Sequence, residues 1–152
     1  MDGREESTHG VVSTLAGLHA LAGVALGHTE WREMTQERVS AFADITDDHN
    51  FIHVDVERAR ATPFGGTIAH GYLTLALLAP ITQQLLSVSD AAMGINYGLD
   101  KVRFPAPLPV GAQFRGSATI TEVAAIEGGV QIKVRARSRV EPVDALGDEG
   151  RL

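Results

Sequence analysis

Between Asp47 and Asp55 the chain reads DDHNFIHVD, three aspartates, two histidines and an asparagine crowded around Phe51 and Ile52. Such a set can hold a metal, move a proton or decorate a loop. Spacing tests the metal. His49 and His53 stand four apart, as on one helix face, but Asn50 follows His49 where an H-E-x-x-H zinc site needs glutamate. Asp44 and Asp48 do not open a calcium loop either, because no glycine occupies its turn and no glutamate its twelfth position. The spacing points away from metal.

Proton transfer asks less of the sequence. Asp48 and His53 are five apart across a loop that can fold back on itself. An imidazole exchanges a proton near neutral pH, and a carboxylate beside it orients the ring or holds a water there. General acid/base catalysis of this kind contributes roughly 10²- to 10⁴-fold. Developing negative charge then needs a donor. Gly71 opens an apolar stretch that reads as a helix, so its N–H belongs to the first turn, and the missing side chain lets a carbonyl oxygen approach. One such donor contributes about 3 to 4 kcal/mol. Each residue also has a structural reading: Asp48 as a turn acceptor, His53 as a satisfied buried histidine, Gly71 as a helix start that needs a small residue. His70 either lines the pocket or holds the loop, and counts as substrate-binding at most.

The elements that must position these groups follow from periodicity. Val11, Leu15, Leu18, Ala22 and Ala25 form a stripe that predicts an amphipathic helix to about Gly27, and Glu30 to Met34 a short strand. Thr35 reads as an N-cap for a helix to Thr46, and Asp55 as the cap of another over Val56 to Ala61. TPFGG is turn chemistry. Gly71 to Leu86 predicts one long buried helix, kinked or interrupted around Pro80. From there the period becomes two: Gly94 to Phe104, Gln113 to Val123 and Val130 to Val140 predict strands, the last two joined through Glu127, Gly128 and Gly129. Helices followed by antiparallel strands make an α+β fold. Lys133, Arg135, Arg137 and Arg139 put a basic stripe on the last strand, read as a solvated face in preference to an anion site.

At 152 residues the chain is long enough for one domain that buries roughly 70% of its unfolded surface. We expect a loose end over residues 1–9, the domain over 10–140 and an atypical tail over 141–152. The absence of cysteine excludes disulfides and thiolate chemistry and suits a reducing compartment, so the cytoplasm is expected. A formal charge of −6 argues against nucleic acid as partner. The leader MDGREESTHG is acidic where a signal peptide would be basic, and no run approaches the ~20 apolar residues that span a bilayer, so no membrane partner is expected.

The run FADITDDHNFIHVDVERARATPFGGTIAHGYLTLALL, Phe42 to Leu78, resembles the MaoC-like, R-specific enoyl-CoA hydratase family, and INYGLDKVRFPAPLPVG, Ile95 to Gly111, is similar to its NodN-like branch. The likeness runs from about Leu15 to Val140. It joins a D-x-N-x-x-H core, an H-G helix start twenty-two residues after its Asp, and an R-F-P-A-P strand end, in that order. The resemblance implies a hotdog fold, a sheet around one long helix, usually dimeric, that hydrates trans-2-enoyl-CoA to (R)-3-hydroxyacyl-CoA. It implies no metal and no cofactor beyond the coenzyme A of the substrate. It matches Asp48 and His53 to the pair that activates water and Gly71 to the oxyanion-hole amide. Asn50 matches an asparagine that supports the loop, and with His70 and Arg103 it makes up the expected substrate-binding set.

The chain departs from the family in three places. Phe51 stands where proline often follows the asparagine, Ala79 replaces a helix serine of some hydratases, and EPVDALGDEGRL lacks the period of a final interior strand. The tail is therefore expected to leave a sheet edge incomplete or to pair through a partner subunit. Hotdog folds also host thioesterases, and a non-catalytic acyl-binding subunit is a third reading.

Overall fold

The computed structural model describes residues 10–141. The predicted tail therefore lies outside the described residues except for Glu141, and so does the predicted loose end over 1–9. Two compact units are built from residues 10–30, 78–100 and 116–137, and from residues 31–77, 101–115 and 138–141.

In the first unit the expected N-terminal helix gives way to extended chain. Strand β1 (Val11–Ser13) pairs in parallel with β4 (Leu86–Val88), a 3-10 turn covers Gly17–Leu21, and β2 (Ala25–His28) follows. Pairing with β4 takes Val11–Ser13, and glycine stops any helix before Ala25. Gly23 and Gly27 sit at φ +83° and +88°, which no right-handed helix uses, and an interior glycine costs a helix about 1 kcal/mol even at ordinary φ. Strand β2 runs antiparallel to β5 (Gln113–Ile126), with Ala25 opposite Thr119 and His28 opposite Ser117. Strand β6 (Gly129–Glu141) pairs with β5 as a hairpin through Gly128, which takes φ +79° at the turn.

Here the basic stripe is a solvated face. Lys133, Arg135 and Arg137 are exposed, with Lys133 Nζ 3.3 Å from Glu122 and 3.4 Å from Asp100. Hydrogen bonds to those two carboxylates hold the ammonium pKa above its ordinary value.

The predicted strand over 94–104 does not form. Met93, Ile95, Tyr97 and Leu99 keep the alternation but are 63% to 89% exposed, and the segment has no backbone partner among the described residues. A period-two pattern specifies which side chains share a face; a ladder also needs a second strand.

The long helix appears as α4 (Gly71–Ala76) and α5 (Leu78–Leu85). Proline at 80 has no N–H for the Ala76 carbonyl, four residues earlier, and the helical run breaks at Leu77. Nor is the stretch buried all round: Leu73, Ile81 and Leu85 are, whereas Tyr72 is 72% exposed. No helix among the described residues is long and apolar enough to cross a membrane.

The second unit carries the caps anticipated from sequence. Strand β3 (Arg32–Glu33), shorter than expected, pairs with the start of β5, Arg32 opposite Phe114. Helix α1 (Gln36–Thr46) begins where Thr35 Oγ1 accepts from Arg38 N, and α3 (Val56–Ala59) where Asp55 Oδ1 accepts from Arg58 N at 3.0 Å. Between them lies the single turn α2 (Phe51–Val54). Met34, Val39, Ala69, Leu73, Leu108 and Phe114 form the core of this unit.

Candidate active site

Helix α1 ends on Asp47 in the left-handed region, φ 58°, which turns the chain sharply into Asp48. The Asp48 carboxylate accepts from Asn50 N at 3.4 Å, and the Asn50 side chain accepts from Ile52 N at 3.4 Å as N-cap of α2. That one turn places His53, and its ring is buried. The acceptor for the ring comes from further along the chain. Ile68 N donates to Ile52 O at 3.0 Å, Val110 N to Thr67 O at 2.9 Å and Ala69 N to Leu108 O at 2.8 Å, so residues 67–69 are held on both sides.

His53 Nδ1 then lies 2.7 Å from Ile68 O. A carbonyl only accepts, so Nδ1 carries the hydrogen and, in the neutral ring, Nε2 is left with a lone pair. That is the tautomer a general base requires.

His70 is 2% exposed and precedes α4. Its Nε2 donates to Asp48 O at 2.9 Å, and its ring stacks on His53 with centroids 3.8 Å apart and planes at 27°. Phe42 covers His70 at 5.0 Å. The backbone of Asp48 is thus pinned to His70, while its side chain stays half exposed with Oδ2 4.0 Å from His70 Nε2.

Asp48, His53 and His70 each bring a donor atom within 4.8 Å of the others. His70 Nε2 already donates to the Asp48 carbonyl, so in this arrangement that nitrogen offers no lone pair to a metal.

Gly71 is the first residue of α4, so its N–H has no acceptor within the helix. A β-carbon there would stand 3.0 Å from Phe104 Cδ2 and 3.1 Å from Cε2, and glycine is what leaves room for that ring.

The other anticipated residues separate from this cluster. Asn50 works as a cap. Arg103 is exposed, and its guanidinium donates to Val102 O at 3.1 Å. His49 turns outward to Asp44 at 2.8 Å, and that hydrogen bond raises its pKa above the ordinary histidine value. Sequence reasoning missed Gln36, Phe42 and the Ile68 carbonyl. Gln36 touches His53 and Thr67, 17 and 31 residues away, and no local pattern signals that. A cleft of about 400 Å³ opens beside it, lined also by Phe64, Gly66, Pro109 and Val110.

The profile of the MaoC-like domain matches residues 19–141. The chain belongs to the MaoC-like dehydratase family. Among MaoC-like relatives, 3-hydroxyacyl-thioester dehydratase Z of Mycobacterium tuberculosis is 49% identical over 129 residues, covering 84% of this chain and 85% of that one. Nodulation protein N of Rhizobium leguminosarum bv. viciae is 45% identical over 111 residues, 72% and 69% of the two chains. A monoamine oxidase regulatory protein from Archaeoglobus superposes with TM-score 0.66 at 28% identity, covering 79% and 80%. The unliganded R-hydratase PhaJ1 of Pseudomonas aeruginosa gives 0.61 at 20% identity over 83% and 89%, a likeness of fold alone. The fold is the α+β hotdog of the MaoC-like proteins.

Proposed function

We propose that this protein adds water to a trans-2-enoyl-CoA to give (R)-3-hydroxyacyl-CoA, and catalyses the reverse dehydration. The observation that carries the reading is the His53 tautomer: Nδ1–H bound to the Ile68 carbonyl, with Nε2 left as the acceptor in the cluster with Asp48 and His70. In the forward direction Asp48 and His53 hold a water. Its oxygen bonds to the β-carbon as the pair takes its proton, and the electron pair of the double bond moves into a thioester enolate. The Gly71 N–H meets the enolate oxygen, and the pair returns a proton to the α-carbon. Water is consumed and no redox partner is required, and in this reading Asp48, His53 and the Gly71 N–H carry the step without metal or cofactor apart from the coenzyme A of the substrate. Asn50 supports the loop, and His70 and Arg103 are the remaining candidates for contact with substrate.

Support also comes from the MaoC-like family membership and from relatives named as dehydratases of 3-hydroxyacyl thioesters and of 3-hydroxybutyryl-CoA. Incubation with crotonyl-CoA tests the reading. Loss of the enoyl-thioester absorbance with formation of the R product is expected, whereas free thiol would indicate hydrolysis, and binding without turnover an acyl-binding subunit.

The active form is a homodimer in this reading. The exposed alternation of Met93, Ile95, Tyr97 and Leu99 supports a second copy as partner, because such a row of apolar side chains, on backbone with no strand partner among the described residues, favours cover by another apolar surface.

A further inference from the structure

We infer that Gln36 is a positioning residue that braces the His53 carbonyl and the hydroxyl of Thr67, the residue before Ile68, on either side of the His53–Ile68 hydrogen bond. This rests on the hydratase reading only for its effect on rate. Gln36 is the first residue of α1 and half-buried. Its Nε2 donates to His53 O at 2.8 Å and lies 3.2 Å from Ser40 Oγ, and its Oε1 accepts from Thr67 Oγ1 at 2.6 Å. The His53 carbonyl can only accept, so the amide orientation follows from its partner.

The placement matters because α2 is a single turn. Four residues cannot satisfy their own terminal carbonyls, so the backbone of His53 depends on donors from outside the helix. Gln36 supplies that donor. With its other end it holds the hydroxyl of Thr67, which is 5% exposed and directly precedes Ile68. The ring nitrogen that donates and the carbonyl that accepts are therefore each one short step from the same amide. Losing the amide releases the His53 carbonyl and the Thr67 hydroxyl, one anchor beside each end of the bond that selects the His53 tautomer. A misplacement of ~1 Å in a catalytic group can cost about 10²-fold in rate.

Three variants divide the contacts. Gln36→Met keeps the length and removes both bonds, Gln36→Glu keeps an acceptor for Thr67 but loses the donor to His53, and Thr67→Val removes one hydroxyl. Long-range ¹H–¹⁵N correlation on the full chain reads the His53 tautomer directly and needs no turnover. Wild type should show Nδ1–H as the dominant form, and Gln36→Met and Gln36→Glu a substantial loss of it. For crotonyl-CoA, kcat should fall by about 10- to 100-fold with KM nearly unchanged. Thr67→Val should show a smaller loss of each kind, and adding it to Gln36→Met should cost no more than Gln36→Met alone.

An unchanged His53 tautomer in both Gln36 variants would overturn the inference, as would equal losses in kcat and stability with no tautomer change. If Gln36→Met fails to fold, Thr67→Val carries the same spectroscopic test. A wild type that does not turn over crotonyl-CoA would count against the hydratase reading and leave the tautomer result to decide the role of Gln36.

Discussion

Replacing Gly71 with alanine should separate catalysis from stability. Gly71 does not adopt a positive φ, so alanine fits the backbone without strain. The added β-carbon would lie 3.0, 3.1 and 3.3 Å from three atoms of the Phe104 ring, where ordinary contact begins at 3.4 Å. The ring must retreat by a few tenths of an ångström. Phe104 is 48% exposed and can do so, and at the first position of α4 the helix preference for alanine is worth less than the ~1 kcal/mol of an interior site. The net change in stability should therefore stay within about 1 kcal/mol of zero.

Activity should respond far more. The same methyl group narrows the approach to the Gly71 N–H. Complete loss of an oxyanion donor costs about 10²- to 10³-fold in kcat, which sets the ceiling for a donor that is crowded but present. We expect kcat to drop by at least about tenfold. Urea unfolding and initial rates of crotonyl-CoA hydration measure the two quantities. A folded Gly71→Ala protein with wild-type kcat would refute the oxyanion role, and a loss of several kcal/mol would show that Phe104 is not free to move.

Other perturbations test other parts of the account. The hydrogen bond to Asp44 raises the folded-state pKa of His49, so its stabilisation is fully present below the unfolded value of about 6.5 and is lost as pH rises through the folded value. Urea midpoints of wild type and His49→Gln between about pH 5 and pH 8 should converge toward the alkaline end; a constant gap would contradict this. Gly116→Ala should destabilise by about 1–3 kcal/mol, because its methyl group overlaps the buried Ile81 side chain while Thr29 bonds to both the Gly116 N–H and C=O. Denaturant melts check that value, and a neutral result would mean that Ile81 repacks freely. Tyr97→Glu should shift the mass measured by light scattering from dimer to monomer, and a dimer unaffected by it would place the interface elsewhere.

Local signals carried much of the site. The caps at Thr35 and Asp55 were legible because a side-chain oxygen and an N–H three residues on suffice to make them. Asp48 and His53 could be paired from a five-residue loop, Gly71 could be read as a helix start from the apolar stretch it opens, and the likeness to the MaoC-like family carried the hotdog fold. Periodicity failed where a partner or a dihedral angle decided the outcome. The stripe from Val11 to Ala25 has helical spacing, but Val11–Ser13 pair with β4 and Gly23 at positive φ stops any helix before Ala25. The alternation from Met93 to Leu99 has strand spacing and no strand beside it among the described residues. The tautomer of His53 was beyond reach in principle, because Ile68 O and the Gln36 amide meet it only through tertiary structure.

The most direct measurement is the initial rate of crotonyl-CoA hydration by wild type, Asp48→Asn and His53→Ala, each checked for folding by circular dichroism. Asp48→Asn keeps the backbone bond to His70, so its fold should persist. Turnover by wild type, with a loss of about 10²-fold or more in each folded variant, is the predicted result. No turnover by wild type, or full turnover by both variants, would contradict the assignment of proton transfer to Asp48 and His53.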